Sequence, residues 1–221
     1  ELAKQPLGRR ATARQARLGS VERLAHRWTG TNAHGRQVAR LALALFDGTA
    51  ELLDLAPETR ELLEYAALLH DIGHHISYPG HHKHSYYLIK NGGLRGFDPR
   101  EIETIATVAR YHRRGHPRKK HEGYATLRKK EKRAVRILAG FLRVADALDR
   151  SHRPVVKRLV ASERGGILRI RAEAKGDCEL ETWGVERRTQ LLAEALGVDV
   201  RVSAARPAEL VRPARLRAAR G

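Results

Sequence analysis

The sequence predicts a mainly helical protein in which a helical bundle is followed by a small α+β appendage. Only 5% of the 221 residues are aromatic, and alanine, leucine and valine supply most of the 42% that are hydrophobic. This composition favours helices packed through small and aliphatic side chains. Apolar residues recur every three to four positions as far as residue 149, which is the helical period. Beyond Pro154 the pattern changes to short alternating stretches, which are typical of β-strands.

The helical part is predicted to occupy residues 1–153. Its first helix begins near Thr12, and a second begins near His34 after a polar break. In the second helix Val38, Leu41 and Leu45 form one apolar stripe, as expected of a buried face. Further helices are predicted over residues 57–70, 81–93, 98–112 and 132–149, with proline at a first turn or glycine after a last one. The basic segment 113–130 is predicted to be a solvated loop.

The α+β appendage is predicted to occupy residues 154–205. Residues 155–161 and 166–174 alternate apolar and polar side chains on either side of Arg164, Gly165 and Gly166, a pattern that predicts a hairpin. A further strand is predicted over residues 178–182, a helix over 186–196 and a last strand over 198–203. Residues 206–221 are rich in arginine and proline and are predicted to be a basic mobile tail.

Composition also restricts the surroundings and the partners of the protein. Lysine and arginine number 43 against 25 acidic residues, which gives a net charge of +18. Such a charge attracts polyanions, but it is equally expected of a protein whose surface is simply rich in arginine and binds no polyanion. Cys178 is the only cysteine, so no internal disulfide forms and a reducing cytoplasm is expected. The basic N-terminus lacks the apolar stretch of a secretory signal, and the longest apolar run, 41–46, is too short to span a bilayer.

One set of residues indicates metal chemistry. His70 and Asp71 are adjacent at the end of the most apolar helix, where a charged carboxylate is costly unless something pairs with it. His34 opens the preceding helix, and Asp146 stands among apolar residues of a late helix. Imidazoles and carboxylates that converge from several helices suit a divalent cation with open positions for water and substrate. The alternative is that these groups pair locally, for example Asp146 with an arginine one turn away.

These residues lie in longer motifs that resemble a known family. His34, the doublet in HDIGHH and Asp146 in ADALDRSH resemble the HD superfamily of metal-dependent phosphohydrolases. The segments HDIGHHISYPGHHKHSYYLIKNGGLRGF, IATVARYHRRGHP and FLRVADALDRSHRP are similar to the C-terminal HD region of exopolyphosphatase / guanosine pentaphosphate phosphatases, over residues 16–202. The resemblance implies an HD-domain bundle in which His34, His70, Asp71 and Asp146 ligate a divalent metal ion.

The resemblance further implies one or two ions per chain, with Mn, Fe, Mg, Zn, Co and Ni as candidates. His84 and His112 are the candidates for a second metal, and Asp71 and His74 are the expected catalytic residues. Basic residues next to these positions are expected to bind substrate phosphate: Lys83, Arg113, Arg114, Arg150 and Arg153. His75, His81 and His82 are interpreted as surface residues or as support for the site. His116, His121 and His152 are interpreted as ordinary residues without a role in it.

The expected function is hydrolysis of a phosphoester or phosphoanhydride of a small phosphorylated compound, with a nucleotide preferred. Full-length family members hydrolyse polyphosphate in N-terminal actin-like domains, and since no such segment is present here, exopolyphosphatase activity is not expected. One alternative is a non-catalytic module that binds polyphosphate or another polyanion. Another is a regulatory domain with a structural metal and a helical surface that forms a homodimer. Nucleic acid is not favoured, because neither a helix-turn-helix signature nor aromatics interleaved with basic runs are present.

Overall fold

The computed structural model describes residues 7–174 and 179–204, in which a helical part precedes a small sheet. The helical part contains α1 (Leu7–Thr29), α2 (Ala33–Gly48), α3 (Thr59–Leu69), α4 (His81–Asn91), α5 (Pro99–Arg110) and α6 (Lys129–Ala147), with short 3-10 turns over Ala50–Leu52 and Ile72–His75. The C-terminal part contains β1 (Val156–Arg164), β2 (Ile167–Ala174), α7 (Glu179–Glu186), α8 (Gln190–Leu196) and β3 (Asp199–Ala204). The predicted fold class, mainly helical with a small α+β appendage, is confirmed.

Helix α6 forms the centre of the core. It packs against α2 and α5 in the bundle and against α8 in the appendage. Ile137, Leu138, Phe141 and Leu142 on this helix are fully buried. Every residue from Ile137 to Ala145 is buried, so other elements surround the C-terminal half of this helix. Since Asp146 lies in its last turn, this carboxylate is brought to the end of the most enclosed helix.

Helix α5 begins as its sequence predicts. The Asp98 side chain accepts hydrogen bonds from the backbone amides of Arg100 and Glu101, and the Glu101 side chain accepts one from the Asp98 amide. This reciprocal capping, with Pro99 in the first turn, satisfies amides that have no partner inside the helix. The fixed start of α5 sets the position of its other end, where His112 lies.

The appendage is a three-stranded sheet in the order β1, β2, β3. Strands β1 and β2 are antiparallel and are joined by a two-residue turn at Gly165 and Gly166, which confirms the predicted hairpin. Strand β3 runs parallel to β2, and α7 and α8 form the connection between them. Strand β1 packs against α2 and α8 packs against α6, so the appendage contacts the bundle through both of its components.

Some predicted boundaries are corrected by the structure. The first helix begins at Leu7 and not near Thr12. The strand predicted over 178–182 is wrong from residue 179 onward, because α7 is helical there and buries Glu181 and Val185, which are one helical turn apart. The helix predicted over 186–196 begins only at Gln190, since a turn separates α7 from α8.

Three further expectations concern the chain as a whole. Cys178 and the predicted tail over 206–221 lie outside the described residues. The division of the chain at residue 154 stays a prediction. Among the helices described, none combines the length and the apolar character that a membrane span requires.

Candidate metal centre

Imidazole and carboxylate side chains converge where several helices of the bundle begin or end. Because these helix ends meet, residues more than a hundred positions apart become neighbours. The converging residues are His34 in the first turn of α2, His70 and Asp71 directly after α3, His81 at the start of α4, His112 just after α5 and Asp146 in the last turn of α6.

Hydrogen bonds between side chains and the backbone fix the relative positions of these helix ends. Asn32, in the left-handed region with φ of 45°, donates from its side-chain amide to the carbonyl of Leu68 at 2.9 Å, which ties the start of α2 to the end of α3. The Ser85 hydroxyl donates to the carbonyl of His70 and accepts from the amide of Gly73 at 3.0 Å, which ties α4 to the His-Asp doublet. Side-chain hydrogen bonds of this kind hold a site without relying on the ligands themselves.

Two histidines and two carboxylates form the first of two groups. His34, His70 and Asp146 present ligand atoms within 4.8 Å of one another. Asp146 Oδ1 lies 3.4 Å from His34 Nε2 and 3.6 Å from His70 Nε2. Asp71 Oδ2 lies 3.7 Å from His34 Nε2 and 3.6 Å from His70 Nε2, so one oxygen of Asp71 faces the same group.

The other oxygen of Asp71 faces a second group. Asp71 Oδ1 lies 3.3 Å from His81 Nε2, 3.6 Å from His112 Nε2 and 3.4 Å from His74 Nε2. Ligand atoms of Asp71, His81 and His112 also lie within 4.8 Å of one another. Asp71 therefore presents one carboxylate oxygen to each group, so it could serve as a ligand in both.

The hydrogen bonds at the Nδ1 atoms leave the Nε2 atoms as lone-pair donors. Nδ1 of His70 donates to the carbonyl of Ala67 at 2.7 Å, and Nδ1 of His112 donates to the carbonyl of Ala109 at 2.7 Å. Nδ1 of His81 lies 3.1 Å from the carbonyl of Tyr78. With Nδ1 protonated in each ring, Nε2 carries a lone pair directed into the centre. The Nε2 atoms of His81 and His112 are 3.1 Å apart, so a single cation could contact both.

Several of these inward-facing atoms are buried and have no hydrogen-bond partner: His34 Nε2, His70 Nε2, His74 Nε2 and Asp71 Oδ1. A buried polar atom without a partner costs about 1–3 kcal/mol, and more when it is charged. His34 Nε2 and His70 Nε2 face the first group, and His74 Nε2 and Asp71 Oδ1 face the second. Nitrogen and oxygen atoms in this arrangement fit divalent cations, which would satisfy them. The donor set of imidazoles and carboxylates thus agrees with the metal chemistry expected from the motif.

The two groups differ in protonation. Burial by itself would lower the pKa of His34, but the carboxylates of Asp146 and Asp149 raise it to about 9. Burial lowers the pKa of His81 to about 4 and that of His112 to about 3. Burial would raise the pKa of Asp71, yet the surrounding imidazoles, His70 foremost, hold it well below its usual range. At neutral pH the second group therefore offers neutral imidazoles, whereas the first must release a proton before it binds a cation.

Two residues beside the first group are absent from the sequence prediction. Asp149 is buried, and its Oδ2 accepts a hydrogen bond from His34 Nδ1 at 2.8 Å, which orients the ring and fixes its tautomer. The His152 ring stacks in parallel on the His34 ring with centroids 4.0 Å apart. His152 also has a φ of 54°, an unusual value for a side chain of this size. Both residues lie within the motif ADALDRSH, but only three-dimensional packing distinguishes them from ordinary helix-end residues.

Of the two histidines predicted for a second metal, the structure brings one, His112, into the second group. The other histidine of that group is His81, and His84 lies outside it. The reason is where α4 begins: Gly80 turns the chain so that its first residue, His81, points to Asp71. His84 lies beside Gly73 and Gly80, and it belongs to neither group formed by the described residues. His74, predicted to be catalytic, is beside Asp71.

A cavity of about 390 Å³ opens next to the centre. Its wall contains residues of both groups together with His74, Tyr78 and His152.

Arg113 and Arg150 also line this cavity, as predicted for residues that bind phosphate. Lys83, Arg114 and Arg153 do not line it and are exposed, because they follow the ligands in sequence but point away from the centre. Arg188, from the turn between α7 and α8, lines the cavity and was not predicted, since nothing in its local sequence relates it to the motifs.

Comparison with known proteins gives a consistent result. A family model described as Ppx/GppA phosphatase, domain III, matches residues 16–193. A protein of Pseudoalteromonas translucida (strain TAC 125) named guanosine-5'-triphosphate,3'-diphosphate pyrophosphatase is 40% identical over 73 residues, which are 28% of this chain and 15% of that protein. Proteins of the same name from Vibrio vulnificus (strain YJ016) and Pseudoalteromonas atlantica (strain T6c / ATCC BAA-1087) are 32% identical over 99 residues and 33% identical over 78 residues. These two alignments cover 44% and 35% of this chain and 19% and 16% of the relatives, so the chain spans less than a fifth of the curated relatives it matches.

Proposed function

The chain belongs to the Ppx/GppA phosphatase family, and from this premise we propose that its centre binds one or two divalent metal ions and hydrolyses a phosphoester or phosphoanhydride of a small phosphorylated compound. His34, His70, Asp71 and Asp146 would hold one ion, and Asp71, His81 and His112 the other. A divalent ion supplies activation of water and neutralisation of negative charge on a phosphoryl group. The observation that carries the proposal is the set of buried, unpartnered nitrogen and oxygen atoms that face the two groups around Asp71.

The protein residues contribute orientation and proton transfer. Asp71 keeps the two groups at a fixed separation because each of its oxygens faces a different group. His74 is partly exposed to the cavity while its Nε2 lies 3.4 Å from Asp71 Oδ1, so this imidazole can pass a proton between the cavity and the centre. Arg113 and Arg150 add positive charge to the cavity wall, where phosphate oxygens would be bound.

A nucleotide is the preferred substrate. The relatives matched here are named for a guanosine nucleotide that carries several phosphates, and the match is to a part of those proteins. The cavity has the size of a small-molecule site and is lined mainly by polar and charged side chains, which suits a phosphorylated compound better than an apolar one.

The test is metal content and hydrolysis in matched aspartate variants. Protein purified without a chelator or a polyhistidine tag is expected to contain about one or two equivalents of divalent metal per chain. Asp71→Asn should lose metal from both groups and should lose hydrolysis of guanosine nucleotides. Asp47→Asn is the control, because Asp47 is an exposed residue of α2 that pairs with Arg60 at 2.7 Å. A wild-type protein that binds no metal, or an Asp71→Asn protein that keeps full activity, would contradict the proposal.

A second candidate function is non-catalytic binding of a polyanion, favoured by the net charge of +18. Such binding is expected to weaken steeply with salt. It is also expected to survive Asp71→Asn, because the metal centre would not take part. Metal binding without turnover, together with salt-sensitive binding of polyphosphate, would favour this candidate over hydrolysis.

A further inference from the structure

We propose that the appendage completes the active site: Arg188 binds a second, non-reacting phosphate group of a substrate that carries at least two. This inference rests on the proposed function, since it takes the metal centre as the place where the reacting phosphate is held. Under this proposal Arg188, a residue outside the bundle, determines whether substrates with one phosphate or with several are preferred.

The first argument is shared position. Arg188 lines the same cavity as Asp71 and Asp146 of the metal centre and as Arg113 and Arg150 of the bundle. Arg150 reaches the appendage as well, because its side chain lies against Gly184 of α7. The cavity is therefore enclosed jointly by the bundle and by the segment that connects β2 to β3.

The second argument is uncompensated charge. In the part of the chain described by the structure, no carboxylate lies within ion-pair distance of the guanidinium groups of Arg113, Arg150 or Arg188. Burial lowers the pKa of Arg143 to about 10, and the nearby positive charge of Arg188 adds to this effect while the Glu194 carboxylate opposes it. Several positive charges without counter-ions around one cavity are favourable when an anion occupies it.

The third argument is that the turn carrying Arg188 is held firmly. Val185 before it and Leu191 and Leu192 after it are fully buried. The backbone of Leu192 lies so close to α6 that a Cβ on Gly140 would come within 2.9 Å of its Cα. Glu194 on α8 also pairs with His116 and Arg136 of the bundle, at 3.2 Å and 3.4 Å. Because the backbone on both sides of Arg188 is held in this way, little backbone conformational entropy is lost when Arg188 binds a ligand.

The chemistry of the group indicates the ligand. A guanidinium presents a planar fork of donors that matches two oxygens of a phosphate, whereas an ammonium does not. The metal centre would take up one phosphoryl group, and Arg188, which enters the cavity wall from the appendage, is available to a further one. A compound with a single phosphate therefore gains little from Arg188, and a compound with two or more gains a charge-assisted, bidentate contact.

The experiment compares two adjacent arginines. Arg188→Gln removes the proposed contact, and Arg187→Gln is the matched control, because Arg187 is exposed and stacks on Trp183 with its guanidinium 4.6 Å from the ring centroid. The full chain is titrated calorimetrically with methylenediphosphonate, which has two phosphoryl groups and is not hydrolysed, and with methylphosphonate, which has one. Metal content is measured before and after each titration.

We expect wild-type protein and Arg187→Gln to prefer methylenediphosphonate, and Arg188→Gln to lose about tenfold or more of this preference with unchanged melting temperature. Arg188→Lys should restore only part of it, because the charge returns without the fork. Equal effects of the two glutamine variants, or no preference in the wild type, would overturn the inference. The titration requires no turnover, so failure of the proposed hydrolysis is detected separately in the nucleotide assay.

Discussion

At the scale of single residues, the protonation of His34 is governed by the carboxylates on either side of its ring. Asp149 accepts from Nδ1 at 2.8 Å and Asp146 lies 3.4 Å from Nε2. Against the effect of burial, these carboxylates raise the pKa of His34 to about 9. A raised pKa stabilises the metal-free protein below about pH 6.5, and this stabilisation is lost as the pH rises through about 9. A metal ion bound at His34 Nε2 would compete with the proton on this atom.

This competition predicts proton release when metal binds. At about pH 8 His34 is mostly protonated, and a ligand must be neutral, so binding should release at least about one proton per chain. The affinity for metal should therefore rise with pH up to about 9. Asp149→Asn should reduce the release, because it removes one of the carboxylates that hold the proton. Calorimetric titration in buffers of different ionisation enthalpy measures the protons released, and none released by the wild type at this pH would contradict the prediction.

The sequence predicts part of this site and not the rest, for reasons that differ by residue. His34, His70, Asp71 and Asp146 are found because the motifs that contain them are long and specific. The choice between His81 and His84 depends on the residue at which α4 begins, and a one-residue change in that start changes which imidazole faces Asp71. Asp149 acts through His34 over a separation of 115 residues, which no local pattern reveals.

At the scale of elements, the site depends on how closely the turn Ile72–His75 packs against α4. Gly73 lies in this turn, and a Cβ on it would overlap the carbonyl oxygen of His81 and the amide nitrogen of Ser85. These are backbone atoms and cannot move aside without moving the helix. The absence of a side chain at Gly73 thus allows the element that carries Asp71 to approach the element that carries His81.

Gly73→Ala should therefore separate the two elements. We expect a loss of about 1–3 kcal/mol in the free energy of unfolding, the usual cost of overpacking, together with loss of metal from the second group. Gly115→Ala is the control, because nothing lies within 4 Å of a Cβ at that position. Urea unfolding and elemental analysis of both variants provide the measurement. Unchanged stability and metal content in Gly73→Ala would show that the packing is not required.

Elements also show where sequence patterns are ambiguous. The capping residues before α5 identify its start correctly, since Asp98, Pro99 and Glu101 act through local hydrogen bonds. The sequence pattern predicts a strand over residues 178–182, where the structure has the start of α7. Its helical state is favoured by tertiary contacts, with Glu181 and Val185 buried on one helical face where α7 packs against α6. Such contacts between distant segments do not leave a local periodicity that can be recognised over a few residues.

At the scale of the whole molecule, the protein combines a large positive charge with a site assembled from distant parts of the chain. The residues of the site range from His34 to Arg188. The net charge of +18 produces a field that extends beyond the cavity and attracts phosphorylated compounds. Arg113, Arg150 and Arg188 of the cavity wall add to this field next to the candidate metal centre. The field would act on the encounter between protein and substrate, whereas the metal centre would act after binding.

The salt dependence of hydrolysis should distinguish the effect of the long-range field from that of the metal centre. Raising NaCl from about 0.05 M to about 0.5 M shortens the screening length from well above 10 Å to a few ångströms, so kcat/KM for a nucleotide with several phosphates should fall about tenfold or more. The value of kcat should change little, because groups in contact inside the cavity are screened much less than distant charges. Steady-state kinetics at each salt concentration provide the measurement, with sucrose at matched osmolality as the control. An equal fall in kcat would mean that salt disturbs the centre itself, and an unchanged kcat/KM would mean that the +18 charge does not steer the substrate.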